Sequence, residues 1–356
     1  MTKKIFIEKA IEDLILNPQF SSNIAKILYA LREENYTGTL SNYLFEAAHF
    51  VREKYYKNHV YLRGLIEFSN FCKNDCFYCG IRRSNHQAIR YRLSLKDILL
   101  SCEIGYNNGL RTFVLQGGED LYFTTEKFVE IIKAIRQKYP DCAITLSIGE
   151  KDTELYEQCF LAGANRFLLR HETINPLHYT KLHPSQMSQS HRLKCLHTLK
   201  NIGYQVGAGM MIGSPQQTLE HLLEDLSFLF EFQPHMVGIG PFIPHKQTPF
   251  AKQSAGSVEL TLVILALVRL LLPKVLLPAT TALASLTPDG TIRGLKAGAN
   301  VIMPNISPVD IRKLYTLYNN KKITGGESLE GIIKLKQFLN QYGYEVPLSR
   351  GDSLID

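Results

Sequence analysis

From Tyr61 onward, short runs rich in β-branched and aliphatic residues alternate with longer amphipathic stretches, and the alternation occurs eight times. The runs are RGLIEFS (63–69), RTFVLQG (111–117), AITLSIG (143–149), RFLLRHE (166–172), YQVGAGMMI (204–212), HMVGIGPF (235–242), KVLLPATT (274–281) and ANVIMPN (299–305). Between them lie stretches such as TEKFVEIIKAIRQKY, SHRLKCLHTLKNIG and TLEHLLEDLSFLFEF, which place apolar residues at helical spacing. Strands separated by helices pair in parallel through right-handed crossovers. Eight such units over about 260 residues match an α/β fold of the closed (β/α)8 TIM-type barrel, with an open doubly wound sheet as the alternative. In a barrel the chemistry sits at the C-terminal ends of the strands and on the loops that follow them.

The barrel is expected over residues 61–320. Residues 1–60 read as an N-terminal helical cap, and residues 321–356 as a C-terminal helix, SLEGIIKLKQFLNQYG, packed across the barrel, plus a tail. The most apolar run, Leu260 to Pro278, is broken by Arg269, Pro273 and Lys274. It falls short of the ~20 clean residues of a membrane span and reads as a buried helix followed by a strand. The N-terminus lacks the features of a signal peptide, which places the chain in the cytoplasm. Net charge is +7, but the lysines and arginines are scattered without a dense basic block, so neither nucleic acid nor a membrane is an expected partner.

Three of the seven cysteines fall within eight residues of FSNFCKNDCFYCGIRR, spaced C-x3-C-x2-C at Cys72, Cys76 and Cys79. They follow the first expected strand directly and so lie on the catalytic rim of a barrel. The spacing is too tight for a disulfide framework and fits a metal centre in a reducing compartment. Zinc would need a fourth ligand, and no second Cys or His pair follows at a usual distance, although a distant histidine would complete a zinc knuckle. Three thiolates on a 4Fe-4S cluster would instead leave one iron open. The remaining thiols, Cys102, Cys142, Cys159 and Cys195, read as core or incidental residues.

C-x3-C-x-aromatic-C, with Tyr78 as the aromatic, resembles the signature of the radical S-adenosylmethionine (SAM) superfamily. The resemblance implies one 4Fe-4S cluster on Cys72, Cys76 and Cys79 whose open iron chelates SAM. Reductive cleavage of SAM would then release a 5′-deoxyadenosyl radical within a dry barrel. It also assigns further residues. Gln116, Gly117, Gly118 and Glu119 of LQGGED resemble the motif that binds the SAM ammonium, although two glycines also make an ordinary turn. In RHET, alternation puts Arg170 and Glu172 on one face and His171 on the other, and the resemblance implies that the Arg170 and Glu172 face is the lumen. Glu172 is then placed near SAM, and Arg192 near its carboxylate unless it is a solvated helix arginine.

Longer strings, including VLQGGED, LLRHET, MVGIGPFIPH and PATTA, resemble the HydE group of FeFe-hydrogenase maturases, which stands beside biotin synthase and methylornithine synthase. That resemblance implies an iron carbonyl cyanide complex of cysteine as substrate, and Ser147 and Met236 as further cofactor contacts. Substrate contacts would come from Thr145, Arg170, Thr280, Thr281 and Tyr315. Read as residues alone, threonine is a favoured strand residue and Met236 suits a core. The implied partners are a reductant such as ferredoxin or flavodoxin and other hydrogenase maturases. Alternatives are an amino-acid-type substrate, as for methylornithine synthase, and a non-catalytic iron-sulfur scaffold or electron carrier. No cysteine follows Cys195, so an auxiliary C-terminal cluster cannot form, and sulfur insertion from a second cluster is disfavoured.

Overall fold

The computed structural model of the chain describes residues 3–322 and 329–355. Three helices open it: α1 (Lys3–Leu16), α2 (Ser22–Glu33) and α3 (Thr39–Tyr56). The alternating part follows as β1 (Tyr61–Leu62), β2 (Gly64–Ser69), α4 (Leu95–Asn107), β3 (Thr112–Gly117), α5 (Thr125–Lys138), β4 (Ala143–Ser147) and α6 (Thr153–Leu161). It continues through β5 (Arg166–Leu168), α7 (Pro176–Leu182), α8 (Gln189–Ile202), β6 (Gln205–Ile212), α9 (Leu219–Phe232), β7 (Met236–Pro241) and α10 (Val258–Leu271). The last elements are α11 (Thr281–Leu286), α12 (Gly290–Lys296), β8 (Val301–Ile302), α13 (Val309–Arg312) and α14 (Leu329–Gln341).

Strands β2 to β7 form one parallel sheet in chain order, and β1 pairs in parallel with β8. Isolated parallel bridges Met236 to Leu276, Pro278 to Val301 and Leu65 to Asn305 carry the ring from β7 round to β2. The barrel therefore closes, as the eightfold alternation requires, but its seventh and eighth staves are thinner than expected. KVLLPATT keeps only two bridged positions and ANVIMPN only a two-residue strand. Pro278 and Pro304 have no N–H to give to a ladder, so regular pairing stops at them.

Helix α10 is buried at every position from Thr261 to Leu271. Its hydrophobicity is thus spent inside the protein, between the barrel and α1 and α3, which pack on the barrel's flank. Among the described residues no helix is long and apolar enough to cross a membrane. Arg269, fully buried in this helix, donates to the carbonyls of Gly298, Pro273 and Val275 and to Asn300 Oδ1. A guanidinium offers five N–H donors in a fixed fork, so it can satisfy a turn's carbonyls where no water reaches.

The closure expected of the last helix is made by the tail beyond it. Ser328, the first residue of that expected helix, lies outside the described residues. Helix α14 lies beside the end of α4, where Lys336 Nζ donates to the carbonyl of Asn108 (3.1 Å). The tail crosses the N-terminal mouth of the barrel. Thr112 Oγ1 donates to the Arg350 carbonyl (2.8 Å), Arg63 donates to the Gly351 carbonyl (3.3 Å), and Arg166 pairs with Asp352 (2.6 Å). With that end plugged, the opposite end, at the strand C-termini, is left for chemistry.

Candidate active site

Cys72, Cys76 and Cys79 are free, half-buried thiols in the loop that leaves β2. The loop is held from several sides. The Asp75 carboxylate accepts from Arg82 Nε (2.7 Å) and the Ser84 N–H (3.0 Å), and Arg90 donates to the carbonyls of Ile81 (2.8 Å) and Arg82 (2.7 Å). Two glycines let other backbone come close. A Cβ on Gly80 would sit 2.1 Å from the Thr316 carbonyl oxygen, and one on Gly118 2.1 Å from that of Phe71. Neither position can take a side chain without moving the cysteine loop. Burial, then the neighbouring Cys72, pushes the Cys79 thiol up to about 12, and burial, Cys79 and Cys72 together push Cys76 well up. The three thiols are thus close enough to repel one another as thiolates, and a cationic centre between them would reverse that repulsion.

The loop faces an inner cavity of about 390 Å³ at the C-terminal end of the barrel, lined among others by Tyr78, Cys79, Gln116, Gly117, Ser147 and Arg170. Glu172, Thr280, Thr281 and Tyr315 line it as well. The hydroxyl of Thr280 is buried without a hydrogen-bond partner among the described residues, so it is left for a ligand. Glu119 stands just outside. Its carboxylate pairs with Lys73 (3.2 Å) and accepts from the Glu150 N–H (3.0 Å), while its own carbonyl accepts from the Lys73 N–H (3.0 Å). The GGE turn is thereby tied to the cysteine loop.

Arg170 and Glu172 form a two-pronged pair, with Nε to Oε1 at 3.1 Å and Nη2 to Oε2 at 2.6 Å. Burial pushes the Glu172 carboxyl up, but the Arg170 charge and its hydrogen bonds outweigh that and hold it below the usual carboxylate range. Glu172 also has φ of +67°, a left-handed conformation that L-residues adopt rarely and that clusters at functional sites. His171 turns to the other face, as alternation requires, and sits fully buried 3.3 Å from Asp225. Arg192 is no solvated helix residue: it is buried, with Nε on Glu150 (2.8 Å) and Nη1 on the Arg170 carbonyl (3.0 Å).

Two expected site residues lie elsewhere. Met236 is the first residue of β7, at the N-terminal end of the barrel, where its sulfur accepts from Arg63 Nη1 (2.9 Å). Thr145 shares that lower layer, next to Arg63, Arg166 and Met236. Two residues apart on β4, Thr145 and Ser147 share a face, but Thr145 lies one pair of residues deeper, about 6.6 Å along the strand. The four other cysteines are all buried, as expected of core thiols.

Three residues of the site were not anticipated. Glu67, fully buried in β2, lines the cavity and is held by Asn305 Nδ2 (2.7 Å) and by the ammonium of Lys321. A charged residue inside an apolar strand was a readable signal, the same one that drew attention to RHET. Lys321 carried no such signal. His183 supports the motif's aromatic residue: its Nδ1–H donates to the Tyr179 carbonyl (3.1 Å), so Nε2 accepts from the Tyr78 hydroxyl (3.1 Å).

Burial, then Arg192, holds the His183 pKa down to about 4. The folded state therefore keeps this ring neutral where the unfolded chain would protonate it. Its stability contribution is complete above pH 6.5 and is lost as pH falls towards 4. Relative to a His183→Gln variant, the apoprotein should lose about 2 to 3 kcal/mol of unfolding free energy between pH 7 and pH 4.5. Urea titrations at both pH values check this, and an unchanged difference would show that His183 is not neutral in the fold.

The donor set fits a 4Fe-4S cluster: three soft thiolate donors on one rigid loop, with no fourth cysteine beside them among the described residues. The cavity beside Cys79 has the volume of a small-molecule site and joins charged with apolar walls, which fits a zwitterionic nucleoside. Comparison with known proteins agrees. The family model of the radical SAM superfamily matches residues 66–229, from β2 to α9. The [FeFe] hydrogenase maturase subunit HydE of Thermotoga maritima is 44% identical over 303 residues, covering 85% of either chain. The 3-methylornithine synthase of Methanosarcina acetivorans is 32% identical over 307 residues, 86% of this chain and 83% of that one. The crystal structure of methylornithine synthase (PylB) superposes with a TM-score of 0.82 at 26% identity, over 95% of this chain and 97% of that one. With its three cysteines at the mouth of a closed parallel barrel, the chain belongs to the radical SAM superfamily and is a radical SAM enzyme, using a 4Fe-4S cluster and SAM.

Proposed function

We propose that this enzyme is a HydE-type maturase acting, in the cytoplasm, on a cysteine-bound iron carbonyl cyanide precursor of the FeFe-hydrogenase active site. The observation that carries the reading is the 44% identity to the Thermotoga maritima HydE across 85% of both chains, against 32% to the 3-methylornithine synthase. The catalytic unit is centred on residues 61–320, with 1–60 as a helical cap and 321–356 supplying a C-terminal helix and a tail. When bound, the 4Fe-4S cluster supplies the electron that breaks the sulfonium of SAM.

The chain's own residues do the rest. Cys72, Cys76 and Cys79 hold the cluster. Tyr78, Gln116, Gly117, Gly118 and Ser147 shape the SAM side of the cavity, with Glu119 bracing the turn. Glu172, kept ionised by Arg170, is a hydrogen-bond acceptor for SAM, and Arg192 is a charge facing its carboxylate. Thr280, Thr281, Tyr315 and the free edge of Arg170 receive the substrate, and Met211 and Phe242 give the cavity an apolar wall that keeps water out. A ferredoxin or flavodoxin would reduce the cluster, and other maturases would deliver and take up the iron complex.

The superposition on methylornithine synthase favours a second reading, in which Arg170 and Glu172 hold the charged ends of an amino acid. One experiment separates the two. The reconstituted, reduced enzyme is given SAM with either the cysteine-bound iron carbonyl cyanide complex or lysine. The HydE reading predicts 5′-deoxyadenosine, or an adenosyl adduct, that depends on the iron complex, and formation with lysine alone would sink it.

A further inference from the structure

A second cavity of about 590 Å³ lies outside the inner one, on the rim between the loop after the cysteines, the loop after β7 and the segment beyond α13. Lys246, Arg312, Lys313, Lys321 and Lys322 line it, and among the described residues that line it none is acidic. Five cations line this concavity, one of them, Lys321, paired with Glu67, and no carboxylate stands among the described lining residues; such a set concentrates anions, because low-dielectric walls focus the field. The two cavities share a wall. Tyr315, Tyr318 and Lys321 line both, and among the described residues Lys321 is the one cation common to the two.

Lys321 is also the partner of Glu67, whose carboxylate faces the inner cavity and is completed by Asn305, a residue of the outer cavity. The boundary is thus an ion pair between a fully buried carboxylate and a lysine with 13% of its side chain exposed. An ammonium on a flexible four-carbon stem is the kind of group that can exchange one anionic partner for another. An anion in the outer cavity would face the same ammonium that Glu67 holds. On moving inward it meets Arg170, the guanidinium that lines the inner cavity.

We propose that the outer basic cavity is the entrance vestibule of the enzyme, which binds an anionic substrate through Lys313, Lys322 and Lys246, and that Lys321 is the latch through which it enters the barrel. The substrate class is a small anion. This rests on the HydE reading for the identity of that anion, since a cysteine-bound iron carbonyl cyanide complex is anionic.

The test uses the reconstituted holoenzyme and the charge-reversed variant Lys313→Glu/Lys322→Glu, with Lys313→Arg/Lys322→Arg as the conservative control. For the iron complex, kcat/KM should fall about tenfold in the reversed variant and lose most of its salt dependence, while the arginine variant keeps the wild-type values. Calorimetry with succinate, an inert carboxylate probe, should show binding to wild type and to the arginine variant, and none to the reversed one. If wild type turns over the iron complex and the reversed variant matches it in kcat/KM and salt dependence, the vestibule is overturned and the HydE reading stands. If wild type does not use the iron complex, that reading fails and the succinate arm decides the vestibule alone. Equal succinate affinity in all three proteins, or none in wild type, overturns it.

Discussion

Cys76→Ala should leave a folded protein that no longer assembles its cluster. Cys76 lies in a loop whose shape depends on other groups: the Asp75–Arg82 pair, the carbonyls held by Arg90, and the close backbone approaches at Gly80 and Gly118. Losing one sulfur, which has Met187 Sδ 3.7 Å away, removes a ligand without removing a support. Two thiolates bind iron poorly, and a thioether is too weak a donor to stand in for the third. Iron content after anaerobic reconstitution should fall below about a tenth of the wild-type value, since metal affinity depends on the full ligand set. SAM cleavage should fall at least roughly 10³-fold, as when one member of a cooperating catalytic set is removed. Circular dichroism and thermal melting of the apoprotein should match wild type, which separates loss of the centre from loss of the fold.

Arg170→Leu should have the largest effect on stability. Glu172 is nearly enclosed, with 8% of its side chain exposed, whereas Arg170 keeps 29% open to the cavity. Removing the guanidinium leaves a buried carboxylate without its cation, a change that costs about 3 to 5 kcal/mol in enclosed pairs and rather less here because Arg170 is partly open. Burial would then dominate and raise the Glu172 pKa, so the penalty grows from acid to neutral pH. The double variant Arg170→Leu/Glu172→Leu should recover at least half of the loss, because no charge is stranded. Urea unfolding of wild type, Arg170→Leu, Glu172→Leu and the double variant at pH 7 completes the cycle. Equal stability of Arg170→Leu and wild type would mean that the pair does not hold Glu172 as an anion.

Much of this architecture was legible because the chain repeats one simple unit. Eight strand-helix alternations specify a parallel ring, and the position of the cysteines after the first strand puts them at its open end. Proline chemistry limited what periodicity could show: Pro278 and Pro304 thin the last two staves without changing their place. Alternation also fixes which face a side chain takes but not how deep it lies. This is why Arg170, Glu172 and Ser147 reach the cavity while Thr145 and Met236 fall in the layer beneath it. Pairings distant in sequence left no local trace. Lys321 meets Glu67 across 254 positions, and His183 reaches Tyr78 from the end of α7, so neither follows from spacing. Arg192 could be read as a solvated helix residue or as an inward charge, and only the fold, which sets it against Glu150 and the Arg170 carbonyl, separates the two.

The proposed function depends on Cys72, Cys76 and Cys79 holding a centre that cleaves SAM in the adjoining cavity. The most direct measurement is 5′-deoxyadenosine formed by the anaerobically reconstituted, dithionite-reduced enzyme with SAM, set against its iron content. A yield that rises in proportion to loaded iron, and that vanishes with Cys76→Ala, is the predicted result. A fully loaded enzyme that leaves SAM intact, with an EPR spectrum unchanged by SAM, would contradict it.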